Sequence, residues 1–177
     1  MPKITNRTVA FSTPWFDVIA KEIDGNGAAP HYTVKPLDYV TVLATDEAGR
    51  ILLVRQFRPV LEDYTLELPS GLIEPGEAPE VCARRELLEE TGHEADQVDF
   101  LGTLAPDTGR LGNRMWVYAA RHARPLHDAA IDGELELVTL SPAEFVTKLT
   151  GLSCDHALNF AAVLLAILKG QFAFPLA

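Results

Sequence analysis

The first half of the chain contains short runs in which apolar and polar residues alternate. Alternation with a period of two is typical of β-strands that have one buried face. Trp15 to Asp24 and His31 to Lys35 follow this pattern and predict an N-terminal β-hairpin. Tyr39 to Thr45 and Ile51 to Phe57 are stronger candidates, and the turn residues from Asp46 to Gly49 join them into a predicted central hairpin.

The pattern changes to a helical one in the middle of the chain. Thr65 to Leu68 predicts a short extended segment. Pro79 to Thr91 predicts a helix, because proline suits the first helical turn and Gly92 suits a helix C-cap. Three further strands are predicted, at Phe100 to Leu104, Arg114 to Ala120 and Glu134 to Leu140.

Two more helices are predicted near the C-terminus. Ser141 and Glu144 form a capping box that opens a short helix ending at Gly151. Cys154 to Lys169 predicts a last helix, whose apolar part is too short to cross a bilayer and is typical of a buried core helix. A few helices among many strands indicate an α/β fold built as a layered sandwich. We identify no export signal and expect a cytoplasmic protein without a membrane partner.

Length and composition limit the possible classes of protein. The 177 residues are most simply one main domain, residues 38–177, preceded by a small set of N-terminal strands in residues 1–37. A formal net charge of -10 argues against a general nucleic-acid-binding protein, which would present a basic face to phosphates. Cys82 and Cys154 have no CxxC spacing and indicate reduced thiols rather than a disulfide framework.

Three glutamates crowd the last turns of the predicted central helix. Glu86, Glu89 and Glu90 repel one another at helical spacing and oppose the negative end of the helix dipole. A divalent cation held between Glu86 and Glu90, which share one helical face, would offset this repulsion. The alternative interpretation is a solvated acidic face.

The residues around these glutamates favour the cation site. Gly71 permits a close backbone approach, so the carbonyl of Ser70 can turn toward a metal ion. Glu77 suits the N-terminal end of the helix and can pair with Arg85. This pair would fix the loop and keep Arg85 from neutralising the metal ligands, in which case Arg85 serves architecture rather than catalysis.

This segment resembles the Nudix box of the Nudix hydrolases. The matching positions are Gly71, Glu77, Arg85, Glu86, Leu87, Glu89, Glu90 and Gly92. Only His93 departs from the pattern, where a bulky aliphatic residue is usual. The resemblance implies a Nudix-type α/β/α sandwich with a mixed sheet and an N-terminal β-hairpin elaboration. It also implies a Mg²⁺ cofactor, with Mn²⁺ as the other possibility, held by Glu86 and Glu90 with contributions from Glu89 and the Ser70 carbonyl.

The resemblance extends to one branch of the family. The strings from Leu53 to Pro59 and from Leu66 to Leu72 are similar to those of ADP-ribose and ADP-sugar pyrophosphatases. In that branch an arginine at the place of Arg58 contacts substrate phosphates, and Arg55 is a weaker candidate. The branch further implies a homodimer in which the N-terminal strands reach the partner and the substrate.

Other candidate substrate contacts follow from the same branch. Trp15 and Tyr32 fall where related enzymes place aromatic residues that stack on adenine, although packing on the hairpin is an equal alternative. Pro106 matches a proline that the branch shows downstream of the box. The loop that follows departs from the branch, because it is more basic than expected of the simplest ADP-ribose enzyme. Arg110 or Arg114 in this loop would read a terminal phosphate or a different sugar.

The implied reaction needs a general base. Related enzymes supply an acidic residue from a late loop, which favours Glu134 and then Asp132 in this sequence. Glu136 shares the face of Glu134 if the strand begins there. Histidine can act as a base near neutral pH, but His127 and His93 match no role in the family.

The expected activity is therefore Mg²⁺-dependent hydrolysis of the pyrophosphate bond of a nucleotide sugar. ADP-ribose would give AMP and ribose 5-phosphate. GDP-mannose or another nucleotide sugar is the alternative substrate, and a regulator that binds nucleotide sugars without turnover is the alternative class of protein. An acidic structural protein with an accidental motif is the remaining interpretation.

Overall fold

A computed structural model describes residues 1–25, 27, 29–127, 129, 131 and 133–173. Eleven strands and three helices are described in these ranges. In chain order they are β1 (Ile4–Ser12), β2 (Asp17–Ile23), β3 (His31–Lys35), β4 (Tyr39–Asp46), β5 (Ile51–Arg58), β6 (Asp63–Glu67), β7 (Ser70–Leu72), α1 (Pro79–Thr91), β8 (His93–Glu94), β9 (Gln97–Leu104), β10 (Met115–Pro125), β11 (Glu136–Leu140), α2 (Pro142–Thr150) and α3 (Ala157–Leu168).

A mixed sheet forms the centre of the molecule. Its main path runs β11-β5-β4-β10-β8, while β6, β7 and β9 pair with β5, β4 and β10 respectively. The pair β10 and β4 is parallel, with Met115 beside Tyr39, and the other pairs of this sheet are antiparallel. The predicted mixed sheet is thus confirmed.

Both faces of this sheet are covered by helices. Val40 and Val42 of β4 point to one side, where they join Cys82 and Leu87 of α1 in one buried cluster. Leu43, one residue out of phase, joins a second cluster that contains Phe145 of α2 and Ala162 of α3. The alternation along β4 therefore sorts its side chains between two cores. This arrangement is the α/β/α sandwich predicted from the sequence.

The N-terminal strands form a separate three-stranded sheet in the order β1-β2-β3. The predicted hairpin of β2 and β3 is present, and β1 extends it. The sequence did not indicate β1 because all nine of its residues are exposed, so no buried face imposes alternation. Val34 of β3 bridges to Leu111, which ties this sheet to the loop between β9 and β10.

The helix bounds differ little from those predicted. α1 spans Pro79–Thr91 as predicted, while α3 begins at Ala157 rather than at Cys154. The short strands β7 and β8 were not predicted. In the part of the chain that the structure describes, no helix has both the length and the apolarity needed to cross a membrane.

Candidate active site

The glycine loop lies directly against α1. β7 pairs with β4, with Gly71 beside Val40, and this pairing holds the loop over the helix. A Cβ added at Gly71 would lie 2.0 Å from the carboxyl group of Glu86. The glycine is therefore required because a carboxylate occupies the space that any side chain would fill.

Glu86 and Glu90 are buried carboxylates on the inner face of α1, and each is 8% exposed. Burial raises the pKa of Glu86, against the opposing effect of Arg85. Burial also raises the pKa of Glu90 to about 8, although the backbone N–H of Ser70 donates to its Oε2 at 2.8 Å. Two neighbouring carboxylates that resist ionisation have the donor chemistry of a divalent-cation site, because a cation would stabilise both charges.

Arg85 lies at the centre of the ionic network. Its Nε and Nη2 donate to the carboxylate of Glu77 at 2.9 and 3.1 Å, which confirms the predicted pair. The hydrogen bond from Arg85 lowers the pKa of Glu77 to about 2. Arg85 Nη2 also donates to the carbonyl of Leu72 at 3.2 Å, so the pair does fix the loop against the helix.

The expectation that Glu77 keeps Arg85 away from the other glutamates is wrong. Nη1 of Arg85 donates to Glu86 at 2.7 Å and to Glu89 at 2.9 Å. One guanidinium reaches all three carboxylates because Glu86 is adjacent and Glu89 lies one turn away. Among the described residues no group of three acidic, histidine or cysteine side chains is assembled as a cation site.

Arg58 and the buried Glu90 share one cavity of about 380 Å³, which Glu86 does not line. Its lining consists of Tyr39, Gln56, Arg58, Glu67, Ser70, Gly71, Leu72, Glu90, His156 and Leu158. Arg58 donates from Nε and Nη2 to the two oxygens of Glu67, at 2.8 and 2.6 Å. A guanidinium and two of the expected cation ligands, Glu90 and Ser70, thus face the same space, which suits a phosphate.

Glu67 and His156 were not among the predicted site residues. The signal for Glu67 was a charged residue between Leu66 and Leu68, in a segment otherwise apolar enough to be buried. His156 gave no such signal, because it lies 89 positions from Glu67 and only the fold brings its Nδ1 to 3.6 Å from that carboxylate.

Arg55 does not line this cavity. Side chains alternate along β5, so Gln56 and Arg58 share one face and Arg55 lies on the other. Nη1 of Arg55 pairs with Glu136 at 3.1 Å, and its guanidinium carbon lies 4.0 Å from the centre of the Tyr64 ring. The substrate role predicted for Arg55 has no support from this placement.

Trp15 does not itself line the Arg58 cavity. Its side chain is 75% exposed and lines a groove that ends at Leu72, a residue shared with the Arg58 cavity. Tyr32 is exposed on β3 and lines neither space. The structure therefore brings one of the two predicted aromatic residues next to the box.

The loop between β9 and β10 lies against the N-terminal sheet. The carbonyl of Arg110 accepts from the backbone N–H of Val34 at 2.8 Å, and the backbone N–H of Arg114 donates to Asp38 at 2.9 Å. Pro106, at the start of this loop, is partly buried. None of Pro106, Arg110 and Arg114 lines the Arg58 cavity.

The late acidic loop approaches the C-terminal end of α1. The backbone N–H of Leu126 donates to the carbonyl of Gly92 at 2.9 Å, and a Cβ added at Gly92 would lie 3.8 Å from the Ala129 carbonyl oxygen. Glu134 is exposed in the turn before β11. Asp132, the second candidate base, lies outside the described residues.

Three other candidates for proton transfer have ordinary surroundings. Glu136 begins β11, so the premise that it continues a strand from Glu134 is not met, and it pairs with Arg55. Nδ1 of His93 lies 2.7 Å from the carbonyl oxygen of Thr91 at the end of α1. His127 is exposed in a turn.

The fold and the site define a class of protein. The family model described as the NUDIX domain matches residues 35–153, which contain α1, the glycine loop and Arg58. The chain therefore belongs to the Nudix family.

Similar proteins are found within this family. The chain is 33% identical to the ADP-ribose pyrophosphatase of Bacillus subtilis (strain 168) over 134 residues, which cover 72% of each chain. It is 38% identical to the methanol dehydrogenase activator of Bacillus methanolicus over 68% of this chain and 60% of that one. It is 34% identical to the ADP-sugar pyrophosphatase of Mus musculus, over 63% and 55% of the two chains. The chain thus spans little more than half the length of two of these relatives.

A solved structure supports the same fold. The crystal structure of an ADP compounds hydrolase matches with a TM-score of 0.79 and 24% sequence identity, over 96% of this chain and 95% of that one. At this level of identity the match confirms the fold. It includes the N-terminal sheet as well as the central sandwich, because nearly the whole chain is aligned.

Proposed function

We propose that this Nudix protein hydrolyses the pyrophosphate bond of a nucleotide sugar, with ADP-ribose or another ADP-sugar as the substrate. The observation that carries the proposal is the shared cavity, in which Arg58 lies with the buried Glu90 and with Gly71, whose missing side chain admits Glu86. The relatives named as ADP-ribose and ADP-sugar pyrophosphatases support the choice of substrate.

The acidic side chains of the box supply the oxygen donors that a divalent cation prefers, and binding would require Glu86 and Glu89 to exchange their pairing with Arg85 for the ion. Glu86 and Glu90 are buried with raised pKa values, and Glu89 extends the set toward solvent. We assign Mg²⁺ to Glu86 and Glu90, with Glu89 and the Ser70 carbonyl as further ligands and with Mn²⁺ as an alternative ion. When bound, the ion supplies Lewis-acid polarisation of the pyrophosphate and lowers the pKa of a bound water.

The remaining steps belong to the chain's own side chains. Arg58 binds a phosphate oxygen and stabilises the charge that develops as water attacks phosphorus. Glu134 or Asp132 accepts the proton of that water. For ADP-ribose, one P–O bond forms to the water oxygen and the bridging P–O bond breaks, so that AMP and ribose 5-phosphate leave. Trp15 stacks on the adenine, beside Leu72.

The resemblance to the same branch of the family also suggests the assembly and the cellular location of the protein. We propose a homodimer that uses residues 1–37, a cytoplasmic location, and no nucleic-acid or membrane partner. The negative net charge supports the exclusion of nucleic acids, because polyanions would be repelled.

A substrate panel tests the proposal. The pure protein is incubated with ADP-ribose, ADP-glucose, GDP-mannose and diadenosine polyphosphates, with and without Mg²⁺, and the products are separated by chromatography. We expect AMP from the ADP-sugars only when Mg²⁺ is present. Faster turnover of GDP-mannose would show that GDP-mannose is the preferred substrate instead of an ADP-sugar. Tight binding of a nucleotide sugar without any turnover would indicate a regulator instead of an enzyme.

A further inference from the structure

Glu67 is a buried carboxylate that no catalytic role described above uses. It is 3% exposed, and its two oxygens accept two hydrogen bonds from Arg58, at 2.8 and 2.6 Å. The hydroxyl of Thr65 donates to its Oε1 at 2.5 Å. A buried charge with this many donors is held in one orientation, because turning it would leave the charge unpaired.

The backbone on both sides of Glu67 is fixed from α3. The buried side chain of Asn159 donates from Nδ2 to the carbonyl of Leu66 at 3.2 Å, and its Oδ1 accepts from the backbone N–H of Leu68 at 3.3 Å. Sγ of Cys154 lies 3.0 Å from the same Leu66 carbonyl oxygen. Both peptides that flank Glu67 are thus anchored to the core, which limits how far the carboxylate can move.

The pairing leaves part of Arg58 available. A guanidinium carries five N–H donors, and Glu67 takes one from Nε and one from Nη2. Within the described part of the chain, Nη1 of Arg58 donates to no protein acceptor. The side chain of Arg58 is 40% exposed and lines the cavity with Ser70 and Glu90. Its free donors are therefore accessible to a phosphate.

Glu90 is the competing partner for Arg58. It lines the same cavity and is close enough that Arg58 and Glu90 influence each other electrostatically. Without Glu67, a flexible arginine would turn to this carboxylate, as Arg85 turns to the adjacent Glu86 of α1. Arg58 would then occupy a proposed metal ligand and would present fewer donors to the substrate.

We infer that Glu67 is a positioning residue, which holds Arg58 with its free donors toward the substrate phosphates and away from Glu90. The inference rests on the proposed function, because it takes Arg58 as a phosphate-binding group. A purely electrostatic role would change the substrate affinity in the opposite direction, because removing the negative charge of Glu67 near an anionic substrate would strengthen binding. A purely structural role would lower stability without changing the affinity of the folded protein.

A double-mutant cycle separates these roles. Glu67→Gln keeps the shape of the side chain and removes its charge, while Arg58→Ala removes the group on which Glu67 would act. Asp46→Asn is the matched control, because Asp46 is also buried and pairs with Arg50 at 2.7 Å, in the turn between β4 and β5. Two quantities are measured: KM and kcat for ADP-ribose with Mg²⁺, and the calorimetric Kd for inorganic pyrophosphate with Mg²⁺.

We expect Glu67→Gln to raise KM for ADP-ribose about tenfold, with a change in kcat below about threefold, because an unheld arginine must be ordered on binding. The Kd for pyrophosphate should rise similarly. In the Arg58→Ala background, Glu67→Gln should leave both quantities within about twofold. Asp46→Asn should lower the melting temperature and leave both unchanged.

The inference is overturned if Glu67→Gln leaves KM and Kd unchanged or lowers them, or if both rise equally in the Arg58→Ala background. A wild-type protein that binds no pyrophosphate also contradicts it. If the wild type does not hydrolyse ADP-ribose, the proposed function fails, and the pyrophosphate titration still decides the role of Glu67. Should Glu67→Gln not fold, Thr65→Val removes only the orienting hydroxyl, and an unchanged Kd in that variant counts against the inference.

Discussion

Gly71 shows how a single residue determines whether the site can form. Its backbone is not left-handed, so conformational freedom is not what the position needs. It needs space, because the Glu86 carboxyl group lies where a Cβ would be. A methyl group at this point would displace the carboxylate from the helix face that it shares with Glu90.

Gly71→Ala should therefore abolish metal-dependent turnover, by at least about a hundredfold, since displacing one ligand costs several kcal/mol of transition-state stabilisation. Steady-state rates at saturating Mg²⁺ measure this. Gly49→Ala is the control: its φ of 76° strains any side chain, but nothing lies within 4 Å. That variant should lose about 1 kcal/mol of stability and keep its rate, whereas an active Gly71→Ala would contradict the steric argument.

Electrostatic repulsion destabilises the helix α1 mainly at its C-terminal end. Glu86, Glu89 and Glu90 lie in its last two turns, and the last turn contains no basic residue. Arg85 offsets part of this repulsion by pairing with Glu86 and Glu89. The inner face, where Glu90 is buried beside Ser70, is where a bound cation would stabilise the element most.

Mg²⁺ should accordingly raise the thermal stability of the protein. At a concentration 100 times the dissociation constant, binding adds about 2.7 kcal/mol, which corresponds to an increase of about 5–10 °C in a domain of this size. Differential scanning calorimetry with Mg²⁺ and with EDTA measures the shift. Glu90→Gln should remove most of it, and an equal shift in that variant would show that Mg²⁺ binds elsewhere.

At the scale of the whole molecule, the sequence predicted the helices and central strands, which have local signals, but it did not predict the contacts between residues far apart in the chain. Both ends of α1 followed from a proline at the start and a glycine in the left-handed conformation at the C-cap. The central strands could be predicted from two largely apolar runs on either side of a turn, and both strands are largely buried. The pairing of Arg58 with Glu67 could not be predicted from the sequence, because the hairpin of β5 and β6 and the anchoring by α3 bring Glu67 into place. β1 was missed because its exposed residues carry no burial pattern.

The same exposed strand leads to a prediction about assembly. β1 is an edge strand of nine residues on which Val9 and Phe11 are about 60% exposed, a surface that invites pairing with another chain. We expect light scattering after gel filtration to give twice the 19.4 kDa of the chain. Phe11→Asp should shift the protein toward the monomer, and a wild-type monomer would contradict the proposed dimer.

We propose that Glu90 and its neighbours hold the cation that drives hydrolysis of a pyrophosphate bond. The most direct test is the rate of AMP release from ADP-ribose by the wild type with Mg²⁺, by the wild type with EDTA, and by Glu90→Gln with Mg²⁺. We predict release in the first reaction only, with Glu90→Gln folded and at least about a hundredfold slower. Equal rates with Mg²⁺ and with EDTA, or a near-normal rate in Glu90→Gln, would show that hydrolysis does not depend on a cation held by Glu90.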